Sequence, residues 1–175
     1  MRSSIQSNSS RKSAVCQFVG YKNSGKTSLI CALIPLLREK GHTVAVIKHS
    51  HHDIEINHPQ TDTWRQSEAG ATAVAITNGT RTARIEEQGI GLPELVKSFE
   101  GYDYILVEGF KAEHYPKMVL IRNEEDLALL SLTAVSSAAY WEQMKDSVAL
   151  HKPKGMPQFN INDVTGIANY LLLLT

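Results

Sequence analysis

The stretch Gly20-Tyr21-Lys22-Asn23-Ser24-Gly25-Lys26-Thr27 decides the fold, because it matches the pattern G-x-x-x-x-G-K-[ST] in full. Gly20 and Gly25 let the backbone turn so that its N–H groups point inward at phosphate oxygens. Lys26 reaches the β- and γ-phosphates, and the hydroxyl of Thr27 binds Mg²⁺. The stretch therefore predicts a nucleoside triphosphate and Mg²⁺ as ligands. The remaining residues assigned to the nucleotide-binding loop are Lys22, Asn23, Ser24 and Ser28.

The segments on either side of the loop support this interpretation. Residues 14–19 form a short apolar run that predicts a buried strand. Residues 28–40 place Leu29, Leu33 and Leu37 on one helical face, and Gly41 stands where a left-handed helix cap is expected. The order of strand, glycine loop and helix aims a helix N-terminus at an anion.

Composition limits the kinds of protein that this chain can be. Its 175 residues fit one α/β unit, and we expect residues 14–175 to form a single P-loop nucleotide-binding domain. Residues 1–13 are rich in serine and lack acids, which predicts a disordered N-terminal extension. The 18 basic and 18 acidic side chains cancel, so neither nucleic acid nor a membrane is an expected partner. Cys16 and Cys31 suit a reducing compartment, which favours the cytoplasm.

A second apolar run at residues 43–48 predicts a parallel β-α-β unit, and hence a P-loop NTPase-like fold with a mostly parallel sheet flanked by helices. The carboxyl end of this strand must lie beside the phosphate loop. Side chains there are candidates for a second site: Lys48, His49, His51 and Asp53. A helix at residues 63–69 follows, with Thr61 or Asp62 as its cap.

An antiparallel β-hairpin is inserted in this fold at residues 72–85. Asn78-Gly79 lies between two apolar runs and predicts a type I′ turn, with strands at residues 72–77 and 80–85. Exposed ribbons invite edge pairing, so the hairpin is the predicted contact of a homodimer.

Residues 103–109 predict a strand whose last carboxylate, Glu108, stands where many nucleoside triphosphatases place the acid that holds Mg²⁺ or its water. Asp103, at the start of this strand, should be remote from the phosphates. Residues 117–122 and 129–135 are predicted to extend the sheet, and residues 163–174 to form the last helix.

The histidines after the second strand allow another interpretation, a transition-metal site. Imidazole binds zinc and nickel, and His49, His51 and His52 precede Asp53 closely. In an extended segment His49 and His51 share one face while His52 points to the other, so a third ligand needs a loop bend. Contacts to phosphate, to a pterin-type molecule or to Mg²⁺-bound water are therefore the favoured prediction.

Several segments together resemble the molybdopterin-guanine dinucleotide biosynthesis protein B family, MobB. Beyond the phosphate loop, the matching stretches are Ile47-Lys48-His49-Ser50-His51-His52-Asp53, Asp62-Thr63-Trp64-Arg65, Leu106-Val107-Glu108-Gly109-Phe110-Lys111 and Tyr115-Pro116-Lys117-Met118-Val119-Leu120-Ile121-Arg122. The resemblance implies a GTP-binding accessory protein with weak hydrolysis, a homodimer that serves a MobA-type molybdenum cofactor guanylyltransferase.

The same resemblance implies roles for individual residues. Lys26 and Glu108 are the catalytic candidates, and Thr27 and Glu108 are the Mg²⁺ ligands. The residues that line the neighbouring site are Lys48, His49, Asp62 and Arg65. Guanine rather than adenine is implied by resemblance alone, since no Asn-Lys-x-Asp element is found in the chain.

Two rival functions remain open. A small-molecule kinase would use the same loop to transfer the γ-phosphoryl group to an acceptor held by Lys48, His49 and Arg65. A GTP-driven metallochaperone would bind nickel or zinc through His49 and His51. The spacing of the histidines places the metallochaperone last.

Overall fold

The structure is a computed structural model that describes residues 12–50 and 57–174. The strands are β1 (Ala14–Val19), β2 (Val44–Lys48), β3 (Ala73–Thr77), β4 (Thr82–Glu86), β5 (Tyr104–Glu108), β6 (Lys117–Ile121), β7 (Val135–Tyr140) and β8 (Gln158–Asn160). The α-helices are α1 (Lys26–Glu39), α2 (Asp62–Glu68), α3 (Leu92–Ser98), α4 (Lys145–His151) and α5 (Val164–Leu172). Two 3-10 helices cover Glu124–Ser131 and Glu142–Met144.

The chain forms two compact units. One comprises the chain up to His49 and from Leu95 onward, and the other is Ser50–Glu94. The first contains a six-stranded sheet in the order β2-β5-β1-β6-β7-β8, and the second contains the antiparallel pair β3-β4. The predicted α/β fold with a mostly parallel sheet and an inserted hairpin is confirmed. The single domain over residues 14–175 stays a prediction.

Every pairing in the six-stranded sheet is parallel, so the strands end at a common edge. The register pairs Glu108 of β5 with Phe18 of β1 and with Lys48 of β2. The sheet therefore brings the loop after β1 next to the last residues of β2 and β5. At the opposite edge, the Asp103 carboxylate accepts hydrogen bonds from the backbone N–H of Thr43 (2.7 Å) and from its hydroxyl (2.8 Å).

Helices cover both faces of this sheet at β6, whose five residues are all buried. On one face α1 and α5 pack against Met118 and Leu120 of β6. On the other, the 3-10 helix Glu124–Ser131 and α4 pack against Val119 and Ile121 of the same strand. Among the described residues, no helix is both long and apolar enough to cross a membrane.

The strand predicted at residues 129–135 is wrong. The 3-10 helix Glu124–Ser131 occupies most of that stretch, because Asn123 and Asp126 form a capping box in which each side chain accepts a hydrogen bond from the other's backbone N–H. Leu129 and Leu130 are buried from this helix, and β7 begins only at Val135. Strand β7 was not predicted, since its serines and alanines give little apolar signal.

The predicted type I′ turn is also wrong, although the hairpin exists. Thr77 pairs with Thr82, which leaves a four-residue connection. The Asn78 side-chain oxygen accepts hydrogen bonds from the backbone N–H groups of Thr80 (2.9 Å) and Arg81 (2.8 Å). This side-chain turn replaces the two-residue turn, and Gly79 does not adopt the left-handed conformation that a type I′ turn requires.

Other predicted elements differ from the observed ones by a few residues at their ends. Gly41 adopts the predicted left-handed conformation (φ 85°), and Thr61 caps α2 by accepting from the N–H of Trp64. For the expected disordered extension, residues 1–11 lie outside the described part of the chain.

Gln17 of β1 is a fully buried polar side chain that fixes the segment after β5. Its amide nitrogen donates to the carbonyl oxygens of Gly109 (3.1 Å) and Phe110 (2.7 Å). Its amide oxygen accepts from the backbone N–H of Tyr115 (3.2 Å). One side chain thus satisfies three backbone groups that have no strand partner there.

We predict that Gln17→Leu lowers the free energy of unfolding by about 1–3 kcal/mol, since it keeps the volume but leaves three backbone groups without that partner. Urea denaturation measures the change. Gln66→Leu, at an exposed position of α2, is the matched control and should change stability by less than about 0.5 kcal/mol. Equal stability of the two variants would contradict the role given to Gln17.

Candidate functional site

The loop between β1 and α1 depends on its two glycines. A Cβ on Gly20 would lie 2.3 Å from the Ser24 hydroxyl oxygen and 3.2 Å from the Leu120 Cβ, so a larger residue would displace these neighbours. Gly25 has φ 98° and is the N-cap of α1, and a Cβ there would lie 3.0 Å from Ile161. Since glycine has no side chain with which to cap the helix, the first-turn N–H groups of α1 face the loop.

Lys26 lies beneath this loop. Its ammonium group donates to the carbonyl oxygens of Gly20 (2.9 Å) and Tyr21 (2.8 Å), and to the Ser24 hydroxyl (3.3 Å). Burial lowers the pKa of Lys26, while the nearby Glu108 carboxylate acts in the opposite direction. The loop therefore surrounds the positive charge of Lys26, which would attract an anion to this position.

Thr27, one residue further, contacts the acid at the end of β5. Its hydroxyl donates to Glu108 at 2.8 Å from Oε1 and 3.0 Å from Oε2. Glu108 is only 8% exposed, and the Lys48 ammonium lies 3.6 Å from Oε1. Because the Lys48 side chain is 59% exposed, this ion pair orients the carboxylate more than it stabilises the fold.

The backbone turns sharply directly after Glu108, the last residue of β5. Gly109 has φ 96°, and a Cβ there would lie 3.1 Å from the Cβ of His49. The His49 N–H donates to the Glu108 carbonyl oxygen at 2.9 Å. The ends of β2 and β5 are thus packed too closely for any residue but glycine at this position.

The candidates for the second site are only partly brought together. Lys48 and His49 lie beside Glu108, and the His49 ring stacks on Phe110 with 4.5 Å between ring centroids. Asp62 and Arg65 belong to α2 in the other compact unit. His51 and Asp53 lie outside the described residues. In the part of the chain that the structure describes, no three His, Cys, Asp or Glu side chains are grouped to hold a metal ion.

Two residues that contact the loop were missed as site candidates. The Arg122 guanidinium donates to the carbonyl oxygen of Asn23 at 2.7 Å and lies over the Trp141 ring at 5.3 Å. The Trp141 indole N–H donates to the carbonyl oxygen of Ser24 at 3.1 Å. Arg122 directly follows β6, and its place at the carboxyl edge of the sheet was a usable signal. Trp141 follows β7, a strand that the sequence did not predict.

A cleft of about 590 Å³ opens beside the loop. It extends from Thr27 along the first turns of α1, and its other walls include Arg122, Trp141 and Asn162. This volume is within the range of small-molecule sites.

The donor set at Thr27 and Glu108 fits Mg²⁺. Both side chains offer oxygen, which this ion prefers. Neighbouring ligands of Mg²⁺, each about 2.0–2.1 Å from the ion, lie about 2.9 Å apart in an octahedron. The Thr27 hydroxyl oxygen and Glu108 Oε1 are 2.8 Å apart. The hydrogen bond thus keeps the two oxygens at a spacing that two adjacent Mg²⁺ ligands would also have.

Comparisons with known proteins show the family of the chain. A family model described as molybdopterin guanine dinucleotide synthesis protein B, MobB, matches residues 15–140. The molybdopterin-guanine dinucleotide biosynthesis adapter protein of Escherichia coli K12 is 32% identical over 167 residues, 89% of each chain. The Haemophilus influenzae adapter protein is 42% identical over 109 residues, which cover 60% of this chain and 61% of that relative.

Solved structures with a similar fold include members of the same family. The crystal structure of Bacillus subtilis MobB has a TM-score of 0.74 at 26% identity, covering 92% of this chain and 97% of that one. The hydrogenase maturation factor HypB of Archaeoglobus fulgidus, at 15% identity and a TM-score of 0.56, covers 93% of this chain and 91% of its own and shares the fold alone. The chain therefore belongs to the MobB family.

Proposed function

We propose that the chain is a nucleotide-binding adapter protein in molybdopterin guanine dinucleotide biosynthesis, which binds GTP together with Mg²⁺. The role in molybdopterin guanine dinucleotide biosynthesis is supported by the family and by relatives that are named as adapter proteins of this biosynthesis. The contact of Thr27 with Glu108 at the N-terminus of α1 is the single observation that carries the nucleotide part. Guanine as the base is supported by the family alone.

In this proposal the loop binds phosphate and the neighbouring acid binds the cation. Lys26 exchanges its bonds to the loop carbonyls for phosphate oxygens, and the first-turn N–H groups of α1 donate to them. Thr27 and Glu108 hold Mg²⁺, while Lys48 keeps the carboxylate oriented. Cleavage of a phosphoanhydride bond in the bound nucleotide would change the negative charge of the phosphates on the loop.

We propose that hydrolysis is slow, because the charged groups near the loop are engaged in other contacts. Glu108 already accepts from Thr27 and pairs with Lys48, so its freedom to activate a water is limited. The Arg122 guanidinium donates to Asn23 and stacks on Trp141. A group held in this way does not readily reach a transferring phosphoryl group. We therefore propose that the loop is mainly a nucleotide holder.

The partner in this proposal is a MobA-type molybdenum cofactor guanylyltransferase in the cytoplasm, and the nucleotide controls docking to it. Docking of equal strength with GTP, with GDP and without nucleotide would contradict that control. A small-molecule kinase is the alternative, which the exposed Lys48 beside Glu108 favours because it offers a cation to an acceptor. Phosphate transfer that is fast only with an added acceptor would support the kinase.

We predict that Lys26→Ala weakens the binding of Mg²⁺-GTP, GDP and ATP at least tenfold, because it removes a charge-assisted hydrogen bond to phosphate. Calorimetric titration measures the dissociation constants. Lys40→Ala removes an exposed lysine at the other end of α1 and should leave them unchanged. Unaltered affinity of Lys26→Ala would rule out the loop as the phosphate site.

We also propose a homodimer that forms through the ribbon of β3 and β4. Ile76 of β3 is 59% exposed, and among the described residues each strand of this two-stranded sheet is paired on one edge only. We predict that Ile76→Asp converts a dimer into monomers in analytical ultracentrifugation. Thr80→Asp, in the exposed connection between the strands, should remain dimeric. A monomeric wild-type chain would refute the proposal.

A further inference from the structure

The connection from β5 to β6, residues 109–116, has no regular secondary structure, yet buried side chains fix its backbone. Gln17 of β1 binds three of its backbone groups, as described above. Lys117 of β6, which pairs with Gln17 in the sheet, donates from its ammonium to the carbonyl oxygens of Glu113 and Tyr115. Two fully buried polar side chains thus hold an otherwise irregular segment at the protein surface.

Holding the segment in this shape costs free energy. Burial lowers the pKa of Lys117, which reflects the cost of taking an ammonium out of water, while the Glu113 carboxylate acts in the opposite direction. Phe110 has φ 52°, a left-handed conformation that is unusual for a bulky residue. Strained backbone of this kind persists only where the surrounding structure imposes it, and it is concentrated at binding sites and switch regions. The shape of the segment therefore indicates a function.

The segment places Lys111 at the tip of a turn. The Glu113 N–H donates to the Phe110 carbonyl oxygen at 2.9 Å, so Lys111 and Ala112 are the central residues of this turn, and both are exposed. The Lys111 ammonium lies 4.3 Å from the ring centroid of Tyr21, a residue of the phosphate loop. In the part of the chain that the structure describes, Lys111 has no carboxylate partner.

Positive charge prevails on this part of the surface. Lys22, next to Tyr21, is exposed and also forms no ion pair with any described residue. Glu113, the acid of the segment, is only partly exposed and acts on the buried Lys117. A rigid surface with two exposed cations complements carboxylates on another protein, and its rigidity lowers the entropy cost of docking.

We propose that the turn at Lys111, together with Tyr21 and Lys22, is the surface that docks onto an acidic patch of the partner protein. This inference rests on the proposed function, in which the partner is a guanylyltransferase and the nucleotide controls docking. The Tyr21 carbonyl oxygen accepts from Lys26 at 2.8 Å, and this is one of the bonds that Lys26 would exchange for phosphate. The docking surface therefore adjoins the part of the loop that responds to the nucleotide.

The test measures the dissociation constant between the chain with bound Mg²⁺-GTP and the purified guanylyltransferase of the same organism. Lys111→Met keeps the length of the side chain but removes its charge, and it should weaken docking about tenfold or more. Lys111→Arg keeps the charge and the contact with the Tyr21 ring, so it should dock like the wild type. Lys154→Met, at an exposed position before β8, is the matched control and should not change docking.

Three further measurements separate docking from other effects. Lys111→Met should keep its affinity for Mg²⁺-GTP within about threefold in calorimetry. Raising the salt concentration from about 0.05 to 0.3 M should weaken docking of the wild type more than that of Lys111→Met, because salt screens exposed charges. Ala112→Glu places an acid at the tip of the turn and should also weaken docking about tenfold, whereas Ala149→Glu at an exposed position of α4 should not.

Three outcomes would overturn the inference. If Lys111→Met and Ala112→Glu dock as tightly as the wild type, the docking surface lies elsewhere. If Lys111→Met loses as much affinity for GTP as for the partner, Lys111 is a nucleotide contact instead. Both results would leave the proposed partner in place. If the wild-type chain does not dock to the guanylyltransferase at all, the proposed partner itself fails, and the inference fails with it.

Discussion

The hydrogen bond from the Thr27 hydroxyl to the Glu108 carboxylate joins the first turn of α1 to the carboxyl end of β5. It requires a left-handed glycine before α1 and another after β5, since Gly25 has φ 98° and Gly109 has φ 96°. The nearly buried carboxylate, beside the half-buried Lys26 and an uncapped helix N-terminus, makes this corner of the sheet a place for Mg²⁺ and phosphate together. The chemistry proposed for the chain depends on that corner.

The sheet makes this corner rigid. Because β1 is central and buried on both faces, the loop that follows it starts from a fixed point. Arg122 and Trp141 then hold the loop from the other side through the carbonyl oxygens of Asn23 and Ser24. These contacts order the loop before any ligand binds, which reduces the entropy that binding must overcome. The same contacts occupy the Arg122 guanidinium. This agrees with the proposal that the protein binds a nucleotide and hydrolyses it slowly.

The sequence predicted the parts of this arrangement that depend on local pattern. The phosphate loop is a contiguous motif, and Glu108 follows from the rule that parallel strands end at one edge. The elements that the sequence predicted wrongly depend on side chains whose hydrogen bonds to the backbone compete with regular secondary structure. Asn123 started a 3-10 helix where a strand was expected, and Asn78 built a turn of its own. The cleft could not be predicted, because Asn162 follows a three-residue strand that tertiary pairing creates.

A double-mutant cycle on Thr27 and Glu108 tests the central claim most directly. The quantity measured is the gain in GTP affinity that Mg²⁺ gives over EDTA, in Thr27→Val, Glu108→Gln and the double variant. Thr43 and Asp103 form a similar pair at the opposite edge, so Thr43→Val with Asp103→Asn is the control. We predict that each single change at Thr27 or Glu108 removes most of the gain and that the double change removes no more. Losses that add independently, or a gain that survives both changes, would contradict a shared Mg²⁺ site.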